Sequence, residues 1–476
     1  MTQRGQPTEQ PITIRDDLAK RVQEELGQNV YLCYQCVKCT SGCPVAGFFD
    51  WQPNQIMRAL QLGQEDIALE SQTPWLCAAC QTCTTRCPQN LDINAIMEFL
   101  TREALGRGIE PVVSEVNDFN RAFLREVRLW GRAYEPGLMA EMLLHDPKTL
   151  VEDYDFFMGM LKKRKVAILP KPVRAPSRRK IKPIAGASKA VAYYPGCSLE
   201  STAAEFNISA KSACEALGLE LIEPPGWMCC GSSAAHRSDP AAAIRLPMEN
   251  LALIEQSGFQ EVTMPCAACF NRHKAAQYEI RQDNGHKAAM DDALGYSYQD
   301  TVHVSTLVEA IHQHIGPDNV AEKVQNSLKG LRVACYYGCL LTRPPEVTEA
   351  AHPENPTDMD ELLAALGADT RDWSYKTTCC GAAHTLTRPD IVLQLSGNLI
   401  SHAREAGAEV IAVACPLCHM NLDARQIQMG LDEPMPILYF TQLIALALGL
   451  PKKATALHKN IIDPRPILKR KEIIFS

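Results

Sequence analysis

The chain has 476 residues, too many for one compact core, and this length predicts about two to four domains. A formal net charge of −7 and a charged fraction of 22% give no reason to expect nucleic acid or an anionic membrane as partner. The first residues lack the apolar run of a secretory signal, and no segment reaches the roughly eighteen apolar residues of a membrane span. We therefore expect a cytoplasmic protein.

Apolar spacing predicts that the N-terminal part is helical. Residues 18–30, 53–71 and 91–105 have this spacing, and residues 111–160 continue in the same way. Ten basic residues and no acidic ones then lie between Lys162 and Lys182, among several prolines. This composition predicts an extended, solvated connector, and a strap that docks on an acidic partner subunit is the alternative.

After residue 187 the sequence becomes typical of an α/β protein and repeats itself. Strand-like runs such as AVAYY, LELIE, RVACYY and EVIAVA alternate with helical stretches. YYPGCSL is matched by YYGCLL, CCGSSAAH by CCGAAH, and PCAAC by CPLC. A period of about 145 residues is too long for a solenoid and indicates two similar domains. The predicted fold class is a multidomain α+β and α/β protein with boundaries at 1–110 (helical, cysteine-rich), 111–186 (helical extension and basic linker), 187–328 and 329–476 (duplicated α/β domains).

The 20 cysteines are too many for a disulfide framework in a reducing cytoplasm, so we interpret nearly all of them as metal ligands. Two runs follow C-x2-C-x2-C-x3-C-P, which is the bacterial ferredoxin pattern for [4Fe-4S] cubanes. Zinc also takes four thiolates, but zinc sites usually pair two distant C-x2-C knuckles. Because the fourth cysteine of each run serves the other cluster, the expected ligand sets are Cys33, Cys36, Cys39 and Cys87 for one cubane, and Cys77, Cys80, Cys83 and Cys43 for the other.

Each α/β repeat contributes five further cysteines. They are Cys197, Cys229, Cys230, Cys266 and Cys269 in the first repeat, and Cys339, Cys379, Cys380, Cys415 and Cys418 in the second. A cubane uses four thiolates, so either one cysteine is spare or the cofactor is not a cubane, and the same surplus in both copies favours the second interpretation. The strand-like runs end at cysteines, which predicts that the ligands gather at the carboxyl ends of strands. Beside the thiols, four glycines would let the backbone approach an inorganic centre: Gly196, Gly231, Gly338 and Gly381. Cys214 and Cys335 fall outside this pattern and are expected to be buried apolar residues.

This pattern of ten cysteines resembles the two CCG domains of the heterodisulfide reductase B subunit, and YYGCLLTRP, from Tyr336 to Pro344, is similar to the sequence of that protein. Residues 31–100 resemble the C subunit, so the chain looks like a C-to-B fusion, similar to the D subunit. The resemblance implies two noncubane [4Fe-4S] clusters, each held by one group of five cysteines, in addition to the two cubanes. It also implies a disulfide substrate between the noncubane clusters, with each sulfur captured at an iron.

The hypothesis from sequence is an iron-sulfur catalytic subunit in which electrons pass through the cubanes to reduce a small-molecule disulfide, or run backwards as thiols are oxidised. His236, His384 and Arg343 follow the cysteines and are candidates for donating protons or gripping anionic substrate groups, or else are structural. The alternatives are a non-catalytic relay in a quinone- or flavin-linked dehydrogenase and a zinc-stabilised scaffold. The expected assembly is a hetero-oligomer with a flavin-containing A-type subunit, or with a membrane cytochrome subunit.

Overall fold

A computed structural model describes residues 17–145, 153–167, 169–170, 172–173 and 190–474. The chain divides into two compact units. The first contains Met1–Cys77 and Thr82–Ser114, and the second contains Ala78–Gln81 and Glu115–Ser476. Most of the basic connector expected between Lys162 and Lys182 lies outside the described residues.

The first unit is helical where it is described. Its helices are α1 (Asp17–Leu26), α2 (Lys38–Ser41), α3 (Pro53–Gln61), α4 (Glu65–Glu70), α5 (Thr73–Leu76), α6 (Thr82–Thr85) and α7 (Ile93–Gly106). Helix α3 buries Ile56 and Leu60, and α7 buries Ile96 and Leu100 at helical spacing. The Asp92 side chain caps α7 by accepting the N–H of Ala95. The helices predicted here from apolar spacing are confirmed.

Three helices precede the sheets of the second unit: α8 (Ser114–Trp130), α9 (Glu135–His145) and α10 (Tyr154–Lys162). The predicted helical character of residues 111–160 is confirmed where the chain is described. The apolar spacing does not bury every apolar side chain of this segment, since Leu144 on α9 is 84% exposed. The expectation of a solvated connector is wrong for Lys165, which is buried and forms an ion pair with Glu205.

Two four-stranded parallel sheets follow, and they have the same strand order. The strands are β1 (Ala190–Tyr193), β2 (Glu220–Ile222), β3 (Glu261–Met264) and β4 (His303–Thr306), then β5 (Arg332–Tyr336), β6 (Asp369–Arg371), β7 (Val410–Val413) and β8 (Ile437–Tyr439). The orders are β2-β1-β3-β4 and β6-β5-β7-β8, with Val191 in register with Leu221 and Val333 with Thr370. Short apolar runs such as VIAV in β7 are buried throughout, as parallel strands require. The duplicated α/β architecture is therefore confirmed.

The sheets are surrounded by helices α11 (Ala204–Leu217), α12 (Ser232–Ser238), α13 (Pro240–Gln256), α14 (Ala267–Gln282), α15 (Asn284–Leu294), α16 (Leu307–His314), α17 (Pro317–Glu322), α18 (Pro345–Thr348), α19 (Asp358–Ala365), α20 (Pro389–Glu405), α21 (Pro416–His419), α22 (Gln426–Met429), α23 (Phe440–Ala447), α24 (Lys452–Thr455) and α25 (Arg465–Arg470). One apolar cluster runs through both repeats. Within it Phe206 stacks on Tyr439 with ring centroids 4.1 Å apart. This shared core explains why both repeats belong to one compact unit.

The apolar stretch Ile437–Leu450 forms β8 and α23, and its residues up to Leu448 are buried. This agrees with the expectation of a buried element. None of the helices in the described part of the chain combines the length and apolar character that a bilayer crossing needs.

Candidate metal and ligand site

The ten cysteines of the two repeats lie at equivalent places, in the segments that follow the carboxyl ends of strands. In the first repeat Cys197 follows β1, the pair Cys229 and Cys230 follows β2, and Cys266 directly precedes α14 after β3. The second repeat places its cysteines after β5, β6 and β7 in the same way. Parallel strands end at one edge of a sheet, so this topology gathers five thiols from distant parts of each repeat.

Sulfur contacts connect the thiols within each repeat and between the repeats. The Sγ atoms of Cys230 and Cys269 are 3.5 Å apart, and those of Cys380 and Cys418 are 3.6 Å apart. Cys266 of the first repeat is hydrogen-bonded to Cys415 of the second. The two groups of five thiols are therefore adjacent.

Two glycines allow the backbone to pass close to a thiol. A Cβ atom on Gly196 would lie 2.9 Å from the Sγ of Cys269, and one on Gly338 would lie 3.0 Å from the Sγ of Cys418. Both glycines have a positive φ, near +77° and +76°, which side chains disfavour. Space and backbone conformation thus both require glycine at these two positions.

The other two predicted glycines have a different environment. A Cβ on Gly231 would meet Ala235 at 2.6 Å, and one on Gly381 would meet Leu395 at 3.2 Å. Both also have a positive φ and begin a helical turn directly after the adjacent cysteine pair. The nearest neighbours of these two positions are therefore apolar side chains, whereas Gly196 and Gly338 face sulfur.

A tyrosine in each repeat holds the segment that leads to the adjacent cysteine pair. The hydroxyl of Tyr194 donates to the carbonyl oxygen of Met228, and that of Tyr336 donates to the carbonyl oxygen of Thr378, both at 2.6 Å. Each carbonyl belongs to the residue immediately before the pair. These hydrogen bonds fix the two loops in the same way.

A cavity of about 200 Å³ opens onto both groups of thiols. All five cysteines of the first repeat line it, together with Cys339 and Cys379 of the second. Its remaining wall is mainly apolar and comes largely from α8, α9 and α10. The wall residues on these helices are Phe119, Phe123, Leu138, Met139, Phe156, Phe157 and Met160.

Three other titratable side chains line the cavity among the described residues: Glu135, His236 and Arg272. The Glu135 carboxylate accepts hydrogen bonds from Ser201 at 2.5 Å and from Thr202 at 2.8 Å. Burial raises the pKa of this carboxyl to about 7, against those two hydrogen bonds, which favour the charged form. The residue is partly accessible because it lines the cavity, but its carboxyl group itself is surrounded by protein.

The structure separates the three candidate polar residues. His236 lies on α12 and lines the cavity. The buried Arg343 guanidinium donates to Thr377 and forms an ion pair with Glu354, away from the cavity lining. His384 is buried 3.5 Å from the hydroxyl of Thr387 and does not line the cavity either.

Several residues near the thiols were not singled out from the sequence. Arg272 and His273 lie on α14, three and four residues after Cys269, and the His273 Nδ1 contacts the Cys269 carbonyl oxygen at 2.7 Å. In the second repeat a π-helical turn, Met420–Ala424, follows α21 and lets Asn421 donate to the carbonyl oxygen of Cys380 at 3.1 Å. Helical spacing from the last cysteine could have found Arg272, because residues three apart share a helix face.

The two N-terminal cysteine runs have matching backbones. Gln35 and Val37 in the first run, and Ala79 and Gln81 at the equivalent places in the second, all have a positive φ. The backbone N–H of Asn54 donates to Thr40, and that of Asn94 donates to Thr84, each at 3.3 Å. The repeated sequence motif is therefore also a repeated local structure.

The two runs differ in exposure. Cys36 is exposed, and Tyr31 and Tyr34 beside it are 57% and 59% exposed. Cys80 is buried, as are both of its neighbours in the segment Ala78–Gln81, which belongs to the second compact unit. Within that unit Cys80 is hydrogen-bonded to Cys379.

The donor set fits iron-sulfur clusters. All 20 cysteines are free thiols. The hydrogen bond with Cys230 and burial raise the pKa of the Cys269 thiol well above its usual value, whereas the hydrogen bonds with Cys229 and Cys269 lower the pKa of Cys230. Among the described residues, no three His, Cys, Asp or Glu side chains are grouped as a site for a single metal ion.

Family models match most of these elements. A cysteine-rich CCG domain matches residues 191–272 and again 333–423, and a 4Fe-4S dicluster domain matches residues 32–92. The matches contain all eighteen cysteines expected to be ligands. The expectation of an oxidoreductase-type iron-sulfur protein with these domains is confirmed.

Curated relatives support the same family. The 8-methylmenaquinol:fumarate reductase membrane anchor subunit of Wolinella succinogenes is 33% identical over 283 residues, 58% of this chain and 98% of that protein. The B subunit of a ferredoxin/F420H2-dependent CoB-CoM heterodisulfide reductase from Methanosarcina acetivorans is 28% identical over 280 residues, 57% of this chain and 93% of that protein. The C and D subunits of heterodisulfide reductases are also among the relatives.

A crystal structure of a hypothetical protein from Helicobacter pylori has the same overall fold. The match covers 94% of this chain and 80% of the Helicobacter chain, with a TM-score of 0.59 and 10% sequence identity. With its two CCG domains, its dicluster domain and these relatives, the chain belongs to the CCG-domain iron-sulfur family that includes the heterodisulfide reductase subunits.

Proposed function

We propose that the chain is the iron-sulfur catalytic subunit of a heterodisulfide reductase-like complex, which reduces a small-molecule disulfide or oxidises thiols in reverse. The observation that carries this proposal is the single cavity that reaches thiols of both repeats. The reaction takes up two electrons and two protons, breaks one S–S bond and releases two thiols. A site that faces both thiol groups is suited to hold one sulfur of the substrate on each side.

The residues proposed to hold the clusters are those expected from the sequence. Each group of five cysteines would hold one noncubane [4Fe-4S] cluster, and the two N-terminal runs would hold two cubanes. When bound, the clusters supply single-electron transfer and an iron surface for sulfur. The chain itself positions the thiols through Tyr194, Tyr336 and the two glycines that face sulfur, and it excludes water with the apolar wall. Glu135 can hold a proton inside the cavity near neutral pH, which suits it to thiol formation.

The N-terminal runs support a direction for electron entry. The first run is exposed around Cys36, with aromatic residues beside it, whereas Cys80 of the second run contacts Cys379. We assign the exposed run to the electron-exchanging partner, a flavin-containing A-type subunit or, as the alternative, a cytochrome subunit. The chain would then work inside a hetero-oligomer.

The test is anaerobic purification followed by EPR spectroscopy with candidate thiols under oxidising conditions. A thiol-dependent paramagnetic signal in the wild type, lost in Cys379→Ala while the cubane spectrum remains, supports the proposal. Iron analysis should give about sixteen irons per chain, four for each of four clusters. A count near eight, or a thiol-dependent signal that survives in Cys379→Ala, contradicts it.

A second function is favoured by one specific relative. The Wolinella protein, 98% of which is covered by the match, is described as the membrane anchor subunit of an 8-methylmenaquinol:fumarate reductase. By that likeness the chain would relay electrons between a quinone pool and a flavin-linked partner without cleaving a disulfide. The same spectroscopy separates the two functions, because a relay should give no signal with any thiol but should be oxidised or reduced by a quinone analogue within its complex.

A further inference from the structure

The wall of the cavity opposite the thiols is encoded outside the matched family domains. The dicluster match ends at residue 92 and the first CCG match begins at residue 191, and α8, α9 and α10 lie between them. These helices nevertheless belong to the same compact unit as the CCG repeats. The ligand cavity is therefore shaped by a segment that the family models do not describe.

The residues that this segment presents are apolar and arranged by helical spacing. Phe119 and Phe123 are four residues apart on α8, and Phe157 and Met160 are three apart on α10, so each pair shares one helix face. Leu386 and Met420 of the second repeat extend the same surface. Aromatic rings and flexible methionine side chains make good contacts with hydrocarbon of variable shape.

Charged groups on the cavity lining are few and partly neutralised. Glu135 belongs to the wall, and its pKa, which burial raises to about 7, leaves its carboxyl about half protonated at neutral pH. Arg272 lies on α14 near the thiols and donates to Asn271. Among the described residues, the helical wall itself contributes no cation, so an anionic substrate arm would have no opposite charge there.

We propose that the substrate is a thiol or disulfide with an uncharged hydrocarbon arm, which lies against α8, α9 and α10 while its sulfur faces the cysteine groups. This inference rests on the proposed function for the position of the sulfur. The arm itself is inferred from the wall alone. Phe123 and Met139 are specificity-determining residues in this arrangement.

The experiment is a chain-length series on the holoprotein under anaerobic conditions. Ethanethiol, butanethiol and hexanethiol, the matched alcohols without sulfur, and 2-mercaptoethanesulfonate as the charged short thiol are titrated by calorimetry. We expect affinity to rise about threefold to fourfold for each added methylene in both the thiol and the alcohol series. The sulfonate should bind no more tightly than ethanethiol.

Two variants locate the arm. Met139→Gln keeps the side-chain length but places an amide on the wall. In this variant, the increase in affinity for each added methylene should be less than twofold. Met290→Gln is the matched control, because Met290 is also half-buried in a helix but does not line the cavity. Thermal unfolding of both variants shows whether they are folded, and the wild-type series tests the proposal without either of them.

Calorimetry and EPR separate the two proposals. A chain-length dependence without a thiol-dependent paramagnetic signal supports the hydrocarbon site and contradicts sulfur capture. A paramagnetic signal with no dependence on chain length overturns the hydrocarbon arm, leaves the proposed function standing, and means that the wall only keeps water from the clusters. Tighter binding of the sulfonate than of hexanethiol also overturns the inference.

Discussion

The two CCG repeats share their sheet order and the tyrosine and glycine that shape each thiol group, yet they face the cavity unequally. All five cysteines of the first repeat line the cavity, but only two of the second do so. The second repeat is the one whose Cys379 contacts Cys80 of the N-terminal runs. Among the described residues, the first repeat therefore presents more thiols to the cavity than the second.

The repeats also differ in how they hold the helical segment that forms the wall. Glu205 of the first repeat forms a buried ion pair with Lys165. In the second repeat the Arg425 guanidinium binds both carboxylate oxygens of Asp153 and also donates to Gln428. Arg425 lies 4.0 Å from the ring centroid of Phe156 as well. A bidentate, stacked guanidinium holds its partner more specifically than a single ammonium contact does.

The largest expected effect comes from breaking the bidentate pair. Asp153→Asn leaves the Arg425 charge buried without its carboxylate and should lower the free energy of unfolding by about 3–5 kcal/mol. Urea denaturation followed by circular dichroism measures this. Asp463→Asn is the control, because its ion pair with Arg465 is partly exposed, and it should cost at most about 1 kcal/mol. Equal losses in the two variants would show that the buried pair does not hold the wall in place.

A smaller effect is expected from crowding one thiol group at a time. Gly196→Ala places a Cβ 2.9 Å from the Sγ of Cys269 at a positive φ, and it should cost about 1–3 kcal/mol. Gly196→Ala should also lower the amount of iron bound by the first repeat. Gly338→Ala should lower the amount of iron bound by the second repeat. Gly397→Ala is the control, since it lies inside α20 with nothing within 4 Å of the new Cβ, and should be neutral or slightly stabilising. Full iron content in both Gly196→Ala and Gly338→Ala would contradict the proposed cluster positions.

The smallest expected effect concerns Glu135, whose carboxylate accepts hydrogen bonds from Ser201 and Thr202 of the first repeat. Folding raises the pKa of Glu135 from 4.5 to about 7. Between pH 4.5 and pH 7, the carboxyl is therefore mostly protonated in the folded state and mostly ionised in the unfolded state. That stabilisation is present at low pH and is lost as the pH rises through about 7. Glu135→Gln mimics the protonated form. It should therefore gain at most about 2 kcal/mol relative to the wild type between pH 5.5 and pH 8.

The measurement is the difference in unfolding free energy between variant and wild type at the two pH values. Glu322→Gln is the matched control, because Glu322 is an exposed glutamate at the end of α17. Asp423 of the second repeat is another buried carboxyl, and burial raises its pKa to about 7 as well. An unchanged difference for Glu135→Gln would mean that its carboxyl is already ionised in the folded protein.

The sequence predicted the architecture well because its determinants are local. Strand-like runs such as VIAV, the cysteine spacings and the paired glycines each depend on neighbouring residues, and the repeats made them recognisable twice. Cys214 and Cys335 were correctly expected to be buried. The positive φ at Gln35 and Val37 was not predictable, since nothing in their side chains requires it.

The cavity was much less predictable, because its wall depends on contacts between distant segments. Apolar periodicity indicated helices at 111–160 but not which surface they would cover. Lys165 lies in a strongly basic run and looked solvated, yet the buried carboxylate of Glu205 pairs with it. Proximity to a cysteine in sequence suggested Arg343 and His384, but the chain turns both away from the cavity lining. Arg272 is the exception, because its spacing of three residues from Cys269 on α14 already indicates a position near the thiols.

The apolar wall has an evolutionary consequence. The cysteines expected to hold clusters lie inside the matched domains, whereas most of the large apolar residues of the wall lie on α8, α9 and α10 between those domains. A homologue with a different segment between its dicluster and CCG domains could accept a different substrate with unaltered redox centres. Exchanging this one segment between relatives would test directly whether it sets which ligand the cavity accepts.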